Sequence, residues 1–179
     1  AIVRRVAGNG GEYFINAGGT KQKGMEAAVA YYLFREKKQF VSSLKIWTSL
    51  TLNDYNFKDY KLGNADYSGN ELTGVPKTIT VSGVDIETAN GFYLNTTYNY
   101  TSKLPLTDAN SFYAAGYHLL QCKLGYKHAF KKTTMEVFAG ADNLLNENYS
   151  LGNDINAVGN RFYNAAPLRN YFAGISLGF

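Results

Sequence analysis

The chain has 179 residues, and its 18 Lys and Arg against 14 Asp and Glu give a formal net charge of +4. Because the basic residues are scattered along the chain, they provide no concentrated footprint for a nucleic acid, and we expect no nucleic-acid partner. A single cysteine excludes an internal disulfide framework, and the longest apolar run, residues 27–34, is far shorter than the roughly 18 residues of a transmembrane helix. Any contact with a membrane must therefore be made by strands.

Alternation of apolar and polar residues predicts an all-β, antiparallel fold. In residues 40–53 the apolar face carries Leu44, Ile46 and Leu50, with Val41 and Trp47 as exceptions on the polar face. The pattern predicts about eight strands, at residues 1–8, 12–34, 40–57, 77–88, 92–104, 115–130, 133–147 and 168–179. In the fourth of these, the apolar positions change phase near Gly83, which predicts a β-bulge there.

The predicted connections alternate between short and long. Short turns lie at residues 35–39, 89–91 and 131–132, and longer polar loops lie near residues 58–76, 105–114 and 148–167. Short turns on one side and long loops on the other are typical of a transmembrane β-barrel, with the turns periplasmic and the loops extracellular. Several predicted strands, of about 12–20 residues, are also longer than those of a soluble sandwich.

Aromatic residues gather toward the ends of the predicted strands, as the interfacial girdles of a membrane barrel require. These are Tyr98 and Tyr100 at one end, and Phe34, Phe40, Phe92, Phe130 and Phe179 at the other. Trp47 and Phe138 lie in mid-strand, where a soluble core would place them.

The last six residues, Gly174-Ile175-Ser176-Leu177-Gly178-Phe179, fit a Gly-x-x-apolar-x-aromatic pattern. This pattern resembles the signal that the barrel assembly machinery of Gram-negative bacteria reads, with Gly174, Leu177 and Phe179 as its positions. Ala173 stands where a polar residue is usual.

Five further segments resemble, in the same order, motifs of the TonB-dependent outer-membrane receptors. They are Asn16-Ala17-Gly18 with Lys23-Gly24-Met25-Glu26, Tyr67-Ser68-Gly69-Asn70-Glu71-Leu72 with Val75-Pro76, Asp108-Ala109-Asn110, Phe138 to Tyr149 with Asp142-Asn143-Leu144-Leu145, and Arg161-Phe162-Tyr163 with Ala166-Pro167-Leu168-Arg169. Leu145 replaces a common Phe.

The resemblance covers nearly the whole chain and implies that residues 1–179 are the C-terminal portion of a 22-stranded outer-membrane barrel whose N-terminal plug domain is absent here. It implies a location in the outer membrane of a Gram-negative bacterium and import of a scarce bulky solute such as a ferric siderophore or similar iron chelate. The implied partners are outer-membrane lipid, the barrel assembly machinery, the iron-chelate ligand, and the TonB complex through the plug. On this reading the fragment alone does not transport.

Candidates for ligand contact lie in the predicted outer loops, because an aromatic face with polar groups and an Arg suits a bulky anionic chelate. They are Tyr60, Asn64, Tyr67, Asn70, Asn153, Asp154, Arg161 and Tyr163. The alternative is that these residues only satisfy turns.

No motif predicts an enzyme, a metal site or a cofactor. The two histidines, His118 and His128, share the apolar face of one predicted strand but lie at its opposite ends, so they cannot form one site. Cys122, in mid-strand on that face, is interpreted as a small hydrophobic residue. No HExxH or GxSxG motif occurs, and we expect no catalytic activity.

The alternative class is a small autonomous eight-stranded barrel with a structural, adhesive or narrow-pore role. Residues 1–8 are short and alternate poorly, which is unfavourable for a first strand that must pair with the last. A piece cut from a larger barrel would leave two unpaired edges, so we expect it either to close on itself or to pair with another chain.

Overall fold

The computed structural model describes residues 2–6, 11–16, 18–36 and 40–179, which form antiparallel strands and one short 3-10 helix, Val158–Asn160. The strands are β1 Ile2–Val6, β2 Glu12–Asn16, β3 Thr20–Arg35, β4 Val41–Phe57, β5 Lys61–Leu62, β6 Ala65–Asp66, β7 Thr78–Thr88, β8 Phe92–Thr101, β9 Leu104–Pro105, β10 Tyr113–Ala114, β11 Tyr117–Ala129, β12 Thr134–Asp142, β13 Ser150–Asn153, β14 Tyr163–Ala165 and β15 Asn170–Gly178. The all-β prediction is confirmed. Residues 1, 7, 8 and 17, and most of the predicted turn at 35–39, lie outside the described residues.

Seven strands form one antiparallel sheet in the order β15-β12-β11-β8-β7-β4-β3. Strands that are neighbours in this sheet also follow one another along the chain, with only short loop strands between some of them. The short turns at 89–91 and 130–133 join adjacent strands as predicted. Within the described residues β3 and β15 stand at opposite edges and do not pair with each other. In the described residues the sheet therefore has two unpaired edge strands, as an open section of a barrel wall has.

The predicted single strand at residues 12–34 is wrong, because the structure divides it into β2 and β3. Gly18 lies between them with a φ of +73°, a left-handed conformation that interrupts an extended strand. A β-carbon at Gly18 would overlap the carbonyl oxygen of Asp59, so the absence of a side chain also permits the backbone segments at Gly18 and Asp59 to lie close together. β2 pairs with β1 in a separate hairpin, while β3 pairs with β4.

The predicted β-bulge near Gly83 is also wrong. The register of β7 with both neighbours passes through Gly83 without a shift, with Trp47 opposite on one side and Thr97 on the other. A β-carbon at Gly83 would overlap the Trp47 indole, so this glycine makes room for a ring across the strand pair. The register of β4 with β7 shifts instead between Val41 and Ser43, which places Val41 opposite Thr88 and explains its exceptional position in the sequence pattern.

The same arrangement recurs across the sheet. In each case a glycine stands directly opposite an aromatic residue whose ring would overlap an added β-carbon: Gly83 with Trp47, Gly125 with Tyr93, Gly140 with Phe172, and Gly174 with Phe138. These pairs fix which residues face each other, because a slip of one residue would drive each ring into a side chain. They also give Gly174, a residue of the C-terminal pattern, a packing role.

The two faces of the sheet differ in polarity. In register, Lys45, Asp85, Asn95 and Lys123 follow one another across four strands on what we call the polar face. The opposite, apolar face presents large side chains that are strongly exposed: Leu124 is 56%, Ile175 70% and Leu177 60% accessible. An apolar face that no other part of the fold covers has a lower free energy in contact with hydrocarbon than in contact with water.

Candidate functional site

The three long connections, residues 58–77, 102–116 and 143–169, lie at one end of the sheet and contain the small hairpins β5–β6, β9–β10 and β13–β14. The most buried side chains of the described residues belong largely to this end. Tyr60 and Leu106 have no accessible surface, and Phe162 is 3% accessible. The loops therefore form a packed structure of their own.

A buried carboxylate connects these three loops. Asp108 is 7% accessible and accepts hydrogen bonds from the Tyr60 hydroxyl at 2.7 Å, the Thr73 hydroxyl at 2.7 Å and the Asn156 side-chain amide at 2.9 Å. Its backbone carbonyl accepts from Asn70 Nδ2 at 2.8 Å. Because ionised acceptors form the stronger hydrogen bonds, Asp108 is the main polar tie between the loops.

Two asparagines from the family-like motifs support the same loops. Asn110 Oδ1 accepts from the Glu71 N–H at 2.7 Å, and its amide donates to the Glu71 carbonyl at 3.0 Å. Asn143, 3% accessible, adopts a φ of 50°, donates to the carbonyls of Glu147 and Pro167, and accepts from the Glu147 N–H at 2.8 Å. Asparagine tolerates the left-handed conformation and bonds the backbone of its own turn. These motifs therefore build loop architecture.

Apolar contacts complete the loop structure. Phe57 and Tyr60 form one cluster, with Tyr67 and Leu72 packed against it, and the ring centroids of Phe57 and Tyr60 are 4.7 Å apart. Leu106, Ala114 and Phe162 form the second cluster.

Beside the second cluster is a cavity of about 630 Å³, which we call the loop cavity. Its lining comes from β9–β10, the start of β11 and the loop that holds β13 and β14: Leu104, Ala114, Ala115, Tyr117, Asn148, Tyr149, Ser150, Asn153, Tyr163, Ala165, Ala166 and Leu168. The ring centroids of Tyr117 and Tyr149 are 5.1 Å apart, and the Tyr163 hydroxyl donates to the Tyr113 carbonyl at 3.4 Å. The lining thus joins aromatic surface to amide and hydroxyl groups, as small-molecule sites do.

Within the cavity lining, Asn153 Oδ1 is buried and has no hydrogen-bond partner among the described residues. A buried polar atom without a partner costs free energy, and such atoms are rare in native proteins. Asn153 itself is held by the β13–β14 pairing opposite Tyr163.

Two charged groups of the first long loop, residues 58–77, have perturbed pKa values. The Ser68 hydroxyl and backbone N–H lower the pKa of the Asp66 carboxyl, with a smaller contribution from Lys61. The hydrogen bond to Glu71 raises the pKa of Lys77 above its usual value. Asp66 and Lys77 therefore stay charged near neutral pH and stabilise the loop through their contacts with Ser68 and Glu71.

Below the loops, the polar face carries two groups of paired charges. Asp85 accepts from the Trp47 indole at 3.1 Å and from Asn95 Nδ2 at 2.8 Å, and lies 3.5 Å from Lys45. This contact accounts for Trp47 as an exception in the alternation. In the second group Glu136 accepts from the Tyr93 hydroxyl and from Lys123 Nζ, which also lies 4.0 Å from the Phe138 ring centroid.

The apolar face carries two aromatic–histidine clusters at the ends of β8 and β11. At the loop end, His118 stacks on Tyr100 with centroids 4.8 Å apart and bonds the Tyr98 hydroxyl at 2.6 Å. At the turn end, His128 contacts Tyr126 and Phe130. The register confirms that both histidines lie on the apolar face, at opposite ends of one strand.

Among the described residues no group of three His, Cys, Asp or Glu is arranged to hold a metal ion, and none of their helices is long and apolar enough to cross a membrane. Cys122 is a half-buried free thiol on the apolar face.

The structure separates the predicted ligand residues into three groups. Tyr60, Tyr67 and Asn70 belong to the packed loop interior, where Tyr60 has no accessible surface. Of the others, Asn153 and Tyr163 line the loop cavity, whereas the exposed Asn64, Asp154 and Arg161 lie outside its lining.

The sequence alone did not predict that this site includes Tyr117, Tyr149 and Asp108. Tyr117 and Tyr149 fall at a strand end and inside a motif, respectively, so nothing in the sequence distinguishes them from girdle and turn residues. For Asp108 the sequence did offer a signal. It is an Asp within a loop motif, and the other loops contain aromatic and hydroxyl residues that can donate hydrogen bonds to it.

These features define an open antiparallel section of a large β-barrel wall, apolar on one face, polar on the other, and with a cavity among its loops. The chain belongs to the family described as TonB dependent receptor-like, beta-barrel, whose model matches residues 1–144. It is similar in structure to BauA, the ferric preacinetobactin receptor from Acinetobacter baumannii, with a TM-score of 0.70 over 98% of this chain. The sequence identity is 18%, which shows a common fold alone, and the chain spans 25% of the length of BauA.

Proposed function

We propose that the chain forms the C-terminal part of an outer-membrane receptor that imports a scarce bulky solute, with a ferric siderophore or similar iron chelate as cargo. The observation that carries this proposal is the inverted polarity of the sheet, in a chain that belongs to the TonB-dependent receptor-like barrels. A wall with an exposed apolar face and a charged opposite face suits lipid on one side and a hydrophilic interior on the other.

The spacing of the two aromatic–histidine clusters supports the outer-membrane location. His118 and His128 are separated by ten residues of β11, or about 33 Å along a strand at 3.3 Å per residue. A strand tilt of about 40° reduces this to roughly 25 Å across the bilayer, which is the height of the apolar band in outer-membrane barrels. Outer-membrane lipid is therefore the proposed partner of the apolar face, with the loops extracellular and the short turns periplasmic.

The cargo proposal is supported by the loop cavity. Its volume of about 630 Å³ lies within the range of about 300–1,000 Å³ for small-molecule sites. The neighbour BauA is a ferric preacinetobactin receptor, and the fold is common to both chains. In this proposal Asn153 and Tyr163 contact the ligand in the cavity, Asn64, Asp154 and Arg161 contribute from exposed loop positions, and Tyr60, Tyr67 and Asn70 act by holding the loops in place.

The remaining partners are proposed from the family. The barrel assembly machinery would read Gly174, Leu177 and Phe179, the last of which is fully exposed. The TonB complex would act through a plug domain outside the present chain, so these residues alone are not expected to transport. The absence of catalytic activity stays a prediction.

Uptake of radiolabelled ferric chelates by cells that express the intact protein tests the proposal. The host should lack its own ferric-chelate receptors, and a matched strain should lack TonB. We expect uptake of at least one chelate that disappears in the TonB-deficient strain. No TonB-dependent uptake from a panel of hydroxamate, catecholate and carboxylate chelates would contradict the iron proposal.

A further inference from the structure

Near the loop end, the apolar face of β3 and β4 changes from apolar to charged side chains at one level. Along β3 this face carries by alternation, from the turn end toward the loop end, Tyr31, Val29, Ala27, Met25, Lys23 and Lys21. Met25 is 53% accessible and stands opposite Leu52, the last apolar residue of this face on β4. Lys23 and Lys21 therefore lie immediately beyond the apolar band, on the side of the wall for which lipid is the proposed partner.

A third lysine, Lys58, lies on the same face. Its N–H donates to the Gly19 carbonyl at 2.8 Å, which continues the pairing of β4 with β3 by one residue. A β-carbon at Gly19 would lie 3.7 Å from Lys58 Cβ, so the lysine stem covers this glycine, on the face that Lys21 shares. Residues two apart on a strand are separated by about 7 Å, and diagonal neighbours on adjacent strands by about 7–8 Å. Lys21, Lys23 and Lys58 can therefore direct their ammonium groups to one anion, and we call them the lysine patch.

A shallow hollow of about 420 Å³ lies at the same boundary, and we call it the rim hollow. It is lined by Lys23, Gly24, Met25, Leu52, Asn53, Asp54 and Lys77. Met25 and Leu52 supply apolar surface, while Lys23 and Lys77 supply ammonium groups. Its volume lies within the range of about 300–1,000 Å³ for small-molecule sites. The rim hollow therefore joins apolar surface to cations, which is the combination that an anionic amphiphile requires.

The lysine patch is not neutralised by ion pairs. Among the described residues, no carboxylate forms an ion pair with any of its three lysines. Asp54 stands opposite a lysine of the patch, but its Oδ1 accepts from Asn56 Nδ2 at 2.8 Å, and Glu71 is paired with Lys77. The exposed Asp59 follows the patch in sequence, so the three lysines still outnumber the two carboxylates that have no ion pair. Free cations that adjoin apolar surface favour an anionic group attached to hydrocarbon.

We propose that the rim hollow and the lysine patch bind the phosphorylated sugar headgroup of an outer-leaflet glycolipid. A phosphate lies among the ammonium groups of the patch, the sugar occupies the hollow, and the first methylene groups of an acyl chain contact Met25 and Leu52. This inference rests on the outer-membrane location in the proposed function, and it adds the class of lipid and its place on the wall. Because the site lies on the apolar face, it is separate from the loop cavity proposed for the cargo.

The first test measures the affinity of the intact, unmodified protein for four probes in an uncharged detergent, by native mass spectrometry. The probes are lipid A with two phosphates, lipid A from which both phosphates have been removed, the deacylated disaccharide with two phosphates, and phosphatidylglycerol. We expect lipid A with two phosphates to bind at least tenfold more tightly than each of the others. The second probe lacks the anion for the lysines, the third lacks the chain for the apolar surface, and the fourth lacks the sugar for the hollow.

The second test locates the site with two double variants that remove the same charge. Lys21→Gln combined with Lys23→Gln should weaken binding of lipid A with two phosphates by about 25-fold, at about fivefold for each lysine near an anionic headgroup. Lys131→Gln combined with Lys132→Gln, in the turn at the opposite end of the sheet, is the matched control and should bind unchanged. All four lysines are exposed, so both variants should fold normally, and the comparison of probes on the unmodified protein needs no variant.

The outcomes separate this inference from the proposed function. Equal affinity for lipid A with and without its phosphates, or for lipid A and phosphatidylglycerol, overturns the inference, and so does an equal loss of affinity in the two double variants. TonB-dependent uptake of a ferric chelate would stand in each of these cases. Selective binding of lipid A by a protein that imports no chelate would overturn the cargo proposal alone.

Discussion

Replacement of Asp108 by Ala should release the loops from one another while leaving the sheet in place. The variant removes the acceptor for the Tyr60 hydroxyl, the Thr73 hydroxyl and the Asn156 amide. A hydrogen bond to a charged group contributes about 1.5–3 kcal/mol, and the Tyr60 hydroxyl would be left buried without a partner. The Thr73 and Asn156 donors are partly exposed, so each of their hydrogen bonds is counted at about 1–1.5 kcal/mol. With the bond to the buried Tyr60 hydroxyl added, the loops should lose about 4 kcal/mol of local stability.

Hydrogen exchange of backbone amides, measured by mass spectrometry on the intact protein in detergent, follows this loss directly. The informative amides join loops to one another or to strand ends: Leu72 to Tyr55, Gly74 to Pro105, and Asn156 to Leu106. At about 1.4 kcal/mol per factor of ten, exchange at these amides should accelerate roughly 1,000-fold. Amides in the middle of β11 should not change.

Asp154→Ala is the matched control for this experiment. Asp154 is an exposed carboxylate of the same loop end, and its backbone N–H, which the variant keeps, bonds the Phe162 carbonyl at 3.0 Å. Exchange should therefore be unchanged. An acceleration below tenfold in the Asp108 variant, or an equal one in the Asp154 variant, would refute the assignment of Asp108 as the tie between the loops.

Three further variants test the sheet and the second loop support. Gly83→Val should destabilise the folded barrel by about 2 kcal/mol or more, because the valine side chain would overlap the Trp47 indole. Urea unfolding of the protein refolded in lipid vesicles measures this loss, and an unchanged urea midpoint would contradict the packing of Gly83 against Trp47. Leu124→Arg, on the apolar face, should lower the free energy of unfolding by about 2–4 kcal/mol in the same assay. Gln121→Arg, on the polar face, is its control and should lower it by under about 1 kcal/mol. Equal losses would show that the assignment of the two faces is wrong. Asn143→Ala should lose about 2 kcal/mol locally, seen as faster proteolytic cleavage within residues 143–169, and resistance equal to that of the unmodified protein would contradict its role.

Local sequence was sufficient for most of the strands. Alternation depends only on neighbouring residues, so it located all seven strands of the main sheet and placed Leu44 and Ile46 on one face and Lys45 on the other. It also placed both histidines on the apolar face. The ends of strands were less accurate: β12 ends at Asp142 rather than near residue 147, because Asn143 begins a turn with positive φ.

The sequence by itself therefore determined the all-β class, the order and faces of the strands, and the family, since ordered motifs and period-two alternation can be read along the chain. The tertiary structure alone decided the register and the site. Gly83 opens space for a ring 36 residues earlier, and Tyr60 bonds a carboxylate 48 residues later. Such contacts depend on which strand ends and loops are brought together, and no local pattern records that. For this reason Asn70 and Tyr60, which resemble ligand residues in sequence, lie in the loop interior, while Tyr117 and Tyr149 line the cavity.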